Sequence, residues 1–307
     1  MDSTKSLRVI DFGRVSGLRS QTLWHAIAHG VSSGAPPTLS FMQPGEPYVS
    51  IGYHRSINEL NPHNELPVYR RMVGGGPVYV DDGQHFFQIV IPLAMAPARR
   101  GDAIRALLEP AVEAFNDVGI SATLDARNEV VLGDRKICGH AAGQILGSVV
   151  VVGNLITRFD HSAAASIVRA PSEVAREEFL AQMRRHVLAT PADPGLFLEA
   201  AARRYGEKLG LGAEQGTLTD EERDQLDVFD TLFVDPEWVD GSPTHENGMW
   251  RAKVKSGVWV GSASCNGHRV TASFHDDEIK EVRVEGPDET FEEMDQLLAA
   301  LAANPPI

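Results

Sequence analysis

A chain of 307 residues and 33.4 kDa is long enough for two domains, or for one large domain with a substantial core. Its composition, 43% hydrophobic and 23% charged, is that of a globular protein and excludes a disordered or fibrous one. With 28 basic against 42 acidic residues the formal charge is -14, which excludes a nucleic-acid-binding surface over the whole molecule, so any basic site must be local. The N-terminus has no apolar signal core, and apolar runs such as Ile145 to Val152 fall far short of the roughly 20 residues a bilayer requires. No membrane association and a cytoplasmic location are therefore expected. Two cysteines, Cys138 and Cys265, are too few for a disulfide framework or a cysteine zinc site and suit a reducing compartment.

In chain order, Leu7 to Phe12 reads as a strand and Leu18 to His29 as a helix with one apolar stripe. Thr38 to Met42 and Tyr48 to Tyr53 read as strands joined by a proline and glycine turn, a hairpin or meander. Residues 68 to 92 give two strand patterns around Gly74-Gly75-Gly76 and a polar turn. Asp102 is placed to cap a helix carrying Ile104, Leu107, Leu108, Val112 and Phe115 on one face, with Pro110 inside it. Valine-rich strands follow over Thr123 to Leu132, the Gly133 to Gly143 region and Ser148 to Ile156. Helices follow over Pro171 to His186 and Leu196 to Lys208, the last stopped by Gly210 and Gly212. From Ala213 the chain turns acidic, with a capping box at Thr219 to Glu222, and reads as an interdomain connection. Strands over Trp250 to Cys265 and Val270 to Val284, an Asn266-Gly267 turn and a helix over Asp288 to Ala302 complete a small module.

The triple glycine lets backbone approach a ligand and can form an anion nest, though a sheet bulge reads equally well; Arg70 and Arg71 upstream favour an anion. Lys136, in a glycine-bounded turn, can project one positive charge into a cleft. Neither Gly-x-x-x-x-Gly-Lys-Ser/Thr nor a completed Gly-x-Gly-x-x-Gly occurs, so any ATP site has another architecture. His-Glu-x-x-His and Gly-x-Ser-x-Gly are also absent, and His245-Glu246 has no second ligand at useful spacing. His140 reads as a wall residue. Cys138, beside Arg135 and Lys136, is either an activated thiol or a buried strand cysteine.

Arg70-Arg-Met-Val-Gly-Gly-Gly-Pro-Val-Tyr-Val-Asp-Asp-Gly-Gln84, Asn128-Glu-Val-Val, Gly133-Asp-Arg-Lys-Ile-Cys-Gly139 and Val152-Gly-Asn-Leu together resemble, in order and spacing, the motif blocks of the lipoate-protein ligase A family. Ala200 to Leu211 is similar to the helix ending that family's large domain, and Lys255-Ser-Gly-Val with the His275 segment is similar to its accessory domain. The resemblance implies an α+β fold: a mixed-sheet catalytic domain of biotin/lipoate ligase type over 1-212, an acidic linker over 213-244 and a smaller α+β accessory domain over 245-307. It implies ATP-dependent activation of lipoate to lipoyl-AMP and transfer to a carrier lysine, with ATP and Mg2+ required, by a monomer. Carriers would be an E2 lipoyl domain, the glycine cleavage H protein or a related lipoate-binding protein, and octanoate is an alternative acyl group.

By the same resemblance Lys136 is the catalytic lysine on the acyl carbonyl and phosphate. Arg70, Val73, Gly74, Gly75, Gly76, Val78, Tyr79, Cys138, Gly139, Ala141 and Gly153 would line the acyl site. Gly76, Asp81, Gln84, Asn128 and Lys136 would meet the nucleotide, with Asn128 near the metal. Departures fall at Val73, Val80, Gln84, Cys138 and Val152, where the family carries Ser/Thr, His, Asn, Ser and His, and at Gly52-Tyr-His-Arg55. They keep two alternatives open: an ATP-independent octanoyl or lipoyl transferase, and an impaired paralogue that binds the carrier.

Overall fold

The computed structural model describes residues 6–241, 249–265, 267–276, 278–286, 291–303 and 305. The chain runs β1 (Ser6–Val15), α1 (Gly17–Ser32), β2 (Thr38–Pro44), β3 (Tyr48–Ile51), β4 (Val68–Arg70), β5 (Val78–Val80) and β6 (Gln84–Pro92). It continues through α2 (Arg100–Asp117), β7 (Thr123–Leu124), β8 (Val130–Leu132), β9 (Arg135–Cys138), β10 (His140–Ile145) and β11 (Ser148–Ile156). Then come α3 (His161–Ser166), α4 (Glu173–His186), α5 (Pro194–Leu209), β12 (Gly212–Gln215), α6 (Asp220–Leu232) and α7 (Pro236–Asp240). A last unit holds β13 (Met249–Lys255), β14 (Val258–Cys265), β15 (His268–His275), β16 (Glu278–Glu285) and α8 (Phe291–Ala302).

A six-stranded mixed sheet in the order β10-β11-β6-β2-β1-β12 forms the centre, parallel at β12-β1-β2 and antiparallel from β2 to β10. Apolar residues fill both faces because β6 and β11 alternate with period two while being covered on each side. Phe87, Ile89, Ile91, Val151 and Leu155 pack with Leu107, Leu108, Phe115, Phe197 and Tyr205 of α2 and α5. Phe86, Val90, Val150 and Val152 pack with Trp24, Ile27, Leu226 and Phe229 of α1 and α6. Two three-stranded sheets, β4-β3-β5 and β7-β8-β9, sit beside this core, and the last unit is a four-stranded antiparallel sheet under α8. Among the described residues no helix is long and apolar enough to cross a membrane.

Several expectations need correction. β2 and β3 do not form a hairpin, since β2 pairs with β1 and β6 while β3 joins β4 and β5. Asp102 does not cap α2, which starts at Arg100 after Arg99 with no side-chain cap, and Pro110 lies inside the helix. The segment 213–244 is not a free linker as far as it is described. β12 extends the central sheet, and Glu222 of α6 forms a buried bidentate pair with Arg8 of β1, at 2.8 and 2.5 Å. The acidic composition misled because α6 turns Glu222, Leu226 and Phe229 inward, and its Asp230 bonds Thr22 and Arg19 of α1. The Thr219 to Glu222 capping box and the left-handed Gly210 stop are both formed. Asn266 of the expected turn, His245-Glu246, the 245 boundary and the first residues of the terminal helix lie outside the described residues.

Candidate functional site

The triple-glycine loop is held from behind by Arg71. Its guanidinium is buried and donates to the carbonyls of Gly74 (3.1 and 2.9 Å), Gly76 (2.9 Å) and Ser50 (3.0 Å) and to the Ser50 hydroxyl (3.2 Å). Burial pulls its pKa down to about 10, which still leaves the cation charged at neutral pH. With the carbonyls drawn to Arg71, the N–H groups of Gly74, Gly75 and Gly76 donate to no group among the described residues. Three adjacent amides without a partner among the described residues are available to oxygen acceptors, as in an anion nest. Gly75 needs its residue type: φ is +105°, and a Cβ would sit 2.5 Å from the Arg71 guanidinium. The loop's entry is fixed by neutral His25, whose pKa burial depresses to about 3. Met72 N–H donates to Nε2 (3.1 Å), so Nδ1 carries the proton toward the Gln21 carbonyl (2.6 Å).

Val73 of the loop lies over β10, where a Cβ on Gly143 would come 2.7 Å from its methyl, and Ala141 packs in the same cluster. On β9, which leads into β10, Lys136 reaches the carboxylate of Glu129 at 2.8 Å, with side-chain exposures of 17% and 4%. Burial alone would raise the Glu129 pKa. Lys136, His140 and the hydrogen bonds from Lys136 and Ser256 outweigh it, holding the carboxylate ionised well below the usual range. Burial and the Lys136 charge lower His140 to about 4, so it is neutral.

The last unit docks on this same turn. Ser256, between β13 and β14, gives both its N–H (3.0 Å) and its hydroxyl (2.7 Å) to the second Glu129 oxygen. Lys255 donates to the Asp134 carbonyl, and Arg127 pairs with Asp276. Phe179 and Met183 of α4 pack with Ala252 and Val260 of the unit.

Several expected site residues serve the fold instead. Arg70, 2% exposed, donates to the carbonyls of Gly52, Tyr53, Arg55, Trp238, Val239 and Asp240, so it staples α7 to the β3 turn and does not face an acyl group. Gly153 faces the α2 side, where a Cβ would strike the Phe87 ring at 2.2 Å. Tyr79 packs with Phe159 and Val168, while Val78 is exposed. Asp81 accepts from Gly83 N–H, and Gln84 bridges the Tyr79 carbonyl and Asn154, whose oxygen takes the Gly139 N–H at 2.7 Å. Asn128, at φ +61°, is tied to Gly101 and Arg105 of α2 and does not turn toward Lys136. Among the described residues no three His, Cys, Asp or Glu side chains are grouped so that they could hold a metal ion.

Cys138 is fully buried, and burial pushes its thiol up to about 12, the reverse of an activated nucleophile. Its sulfur sits 3.4 Å from both the Asn154 N–H and the Gly139 carbonyl, partners a hydroxyl can also use. Cys138→Ser is therefore expected to keep at least half the activity at a stability cost of about 1 kcal/mol. Native-state alkylation at pH 7.5 should leave Cys138 unmodified; rapid labelling would contradict this.

A cavity of about 700 Å³ between α5 and β12, lined by Val9, Leu198, Ala202 and Leu211, includes none of these groups.

These features define an α+β fold with a mixed central sheet, an arginine-clamped glycine loop and a largely buried lysine–glutamate pair at β9. Residues 19–189 match the lipoyl protein ligase A/B catalytic domain, more than half of the chain, and the protein belongs to that family. It is similar to lipoate-protein ligase LplJ of Bacillus subtilis (31% identity over 40% of this chain and 39% of that protein). It is also similar to octanoyltransferase LipM of Kyrpidia tusciae (22% over 75% of this chain and 97% of that one). Among solved structures, the fold matches a bipartite lipoate protein ligase of Thermoplasma acidophilum, described with its E2 lipoyl domain, at a TM-score of 0.71 and 22% identity, covering 79% of this chain and 99% of that one. An ATP-bound lipoate-protein ligase A matches at 0.64 and 20%, covering 78% and 99%. The chain is thus a lipoyl ligase or transferase family enzyme.

Proposed function

We propose that this protein is an ATP-dependent lipoate-protein ligase. The observations that carry this reading are the Arg71-clamped loop with three amides unpartnered among the described residues, whose Val73 lies over β10, and Lys136 on β9, the strand that leads into β10. In the first half-reaction a lipoate carboxylate oxygen attacks the α-phosphorus of ATP, the bond to the bridging oxygen breaks, and pyrophosphate leaves with the electron pair. The amides of Gly74 to Gly76 hold the anionic oxygens of the acyl phosphate, and the Lys136 ammonium neutralises the phosphate, releasing Glu129 from its contact as it does so. Gly139 and Ala141 give the acyl group a floor without bulky side chains. In the second half-reaction a carrier lysine nitrogen attacks the carbonyl carbon, loses a proton and expels AMP.

The transferase is the second reading, favoured by the near full-length match to LipM. A cysteine acyl-enzyme at Cys138 conflicts with its burial and raised pKa. Intact mass of an apo lipoyl domain incubated with the protein and free lipoate separates the readings. A lipoyl mass shift that needs ATP supports the ligase. Transfer from an octanoyl carrier without ATP, and none from free acid, supports the transferase.

A further inference from the structure

Between the last unit and the Glu129 turn lies a cleft of about 250 Å³, lined by Arg127, Lys253, Lys255, Ser256, Trp259 and Asp276. It is cationic in a chain of formal charge -14. Two of its cations are committed, Arg127 to Asp276 and Lys255 to the Asp134 carbonyl. Lys253 is different. It is exposed, projects from β13 and has no ion pair or side-chain hydrogen bond among the described residues. Its neighbours are Glu129, Lys136 and Arg55, so one carboxylate is shared by surrounding cations and the balance is positive. Although the residue as a whole is exposed, its ammonium is partly desolvated beside the cleft, which lowers its pKa first, and Lys136 and Arg55 add to this against the opposing pull of Glu129. An uncompensated lysine held among other cations is stabilised by an arriving polyanion.

We propose that Lys253, supplied by the last unit, binds the β- and γ-phosphates of the nucleotide, and pyrophosphate once it forms. The proposal rests on the ligase reading for its place in the reaction: with Lys136 on the α-phosphate, the outer phosphates extend to the cation beyond Glu129. As the α-phosphorus bond to the bridging oxygen breaks, negative charge grows on the leaving pyrophosphate, and an ammonium there helps the first half-reaction without touching the second. The docked unit therefore completes the nucleotide site, and Ser256 holds it in place through Glu129.

The test uses the full chain and Lys253→Ala, with Lys253→Arg as rescue. Calorimetric titration with pyrophosphate alone reads the site without turnover: the wild type binds, Lys253→Ala binds about tenfold more weakly or worse, and Lys253→Arg recovers most of the loss. In the reaction, KM for ATP rises about tenfold in Lys253→Ala while KM for lipoate and transfer from synthetic lipoyl-AMP to an apo lipoyl domain stay within about twofold. Equal pyrophosphate affinity in both proteins, no binding to the wild type, or slowed transfer with unchanged ATP use overturns the proposal, the last outcome assigning Lys253 to carrier acids instead. A wild type that binds pyrophosphate through Lys253 yet forms no lipoyl-AMP leaves the site standing and overturns only the ligase reading.

Discussion

Replacing Lys136 with alanine is expected to lower lipoyl-AMP formation at least about 100-fold, because a charged hydrogen bond of about 1.5–3 kcal/mol is lost and its partner charge develops in the transition state. The variant should also be less stable. Glu129 is almost fully buried, and without Lys136 its remaining hydrogen bonds are those from Ser256, so removing one member of the pair costs about 3 kcal/mol at neutral pH. The pH dependence gives the signature. In the wild type the depressed Glu129 pKa contributes stability that is present above its unfolded value of 4.5 and is lost as pH falls through the lower folded value. In the variant burial dominates and raises that pKa, so stability falls as pH rises. The difference in denaturation midpoint should be largest near pH 7 and shrink toward pH 4, whereas a constant difference would show that Glu129 does not feel Lys136. Lys136→Ala combined with Glu129→Gln should regain stability but not activity.

Arg70→Ala tests the reassignment of that residue. Six carbonyls converge on one guanidinium, and a buried acceptor left without a donor costs about 1–3 kcal/mol. Some carbonyls will find water, so a total loss of at least about 4 kcal/mol is expected, with a Tm fall of more than about 8 °C. Arg70→Lys should recover only part, since an ammonium cannot span carbonyls on both the β3 turn and α7. A residue lining the acyl site would instead raise KM for lipoate and leave Tm unchanged. Thermal unfolding with KM for lipoate on the same preparation decides between the two.

Arg70 and Arg71 show where sequence reasoning stopped. Adjacent strand residues point to opposite sides, and nothing in Arg-Arg-Met-Val-Gly-Gly-Gly says which arginine turns toward the glycines. That depends on β4 pairing with β3, a non-local register. Arg71 reads in the sequence as a contact for an anion and proves to clamp the loop from behind, while His25 and Ser256 went unseen because each acts on groups distant in the chain. What was legible was local: the Gly133-Asp134 turn, the Gly210 stop and the Thr219 capping box all need only neighbours in sequence, whereas Lys136, which reads as a turn residue, lies on β9. Acidic composition failed as a sign of linker because Glu222 is neutralised by Arg8, 214 positions away. Gly153 likewise has its reason in Phe87, across the β6-β11 pair.

The most direct measurement of the central claim is lipoate-dependent exchange of labelled pyrophosphate into ATP, which reports acyl-adenylate formation without any carrier. The ligase account predicts exchange that requires lipoate or octanoate and disappears in Lys136→Ala. No exchange with either acid, together with ATP-independent movement of octanoyl groups from a carrier donor, would contradict it.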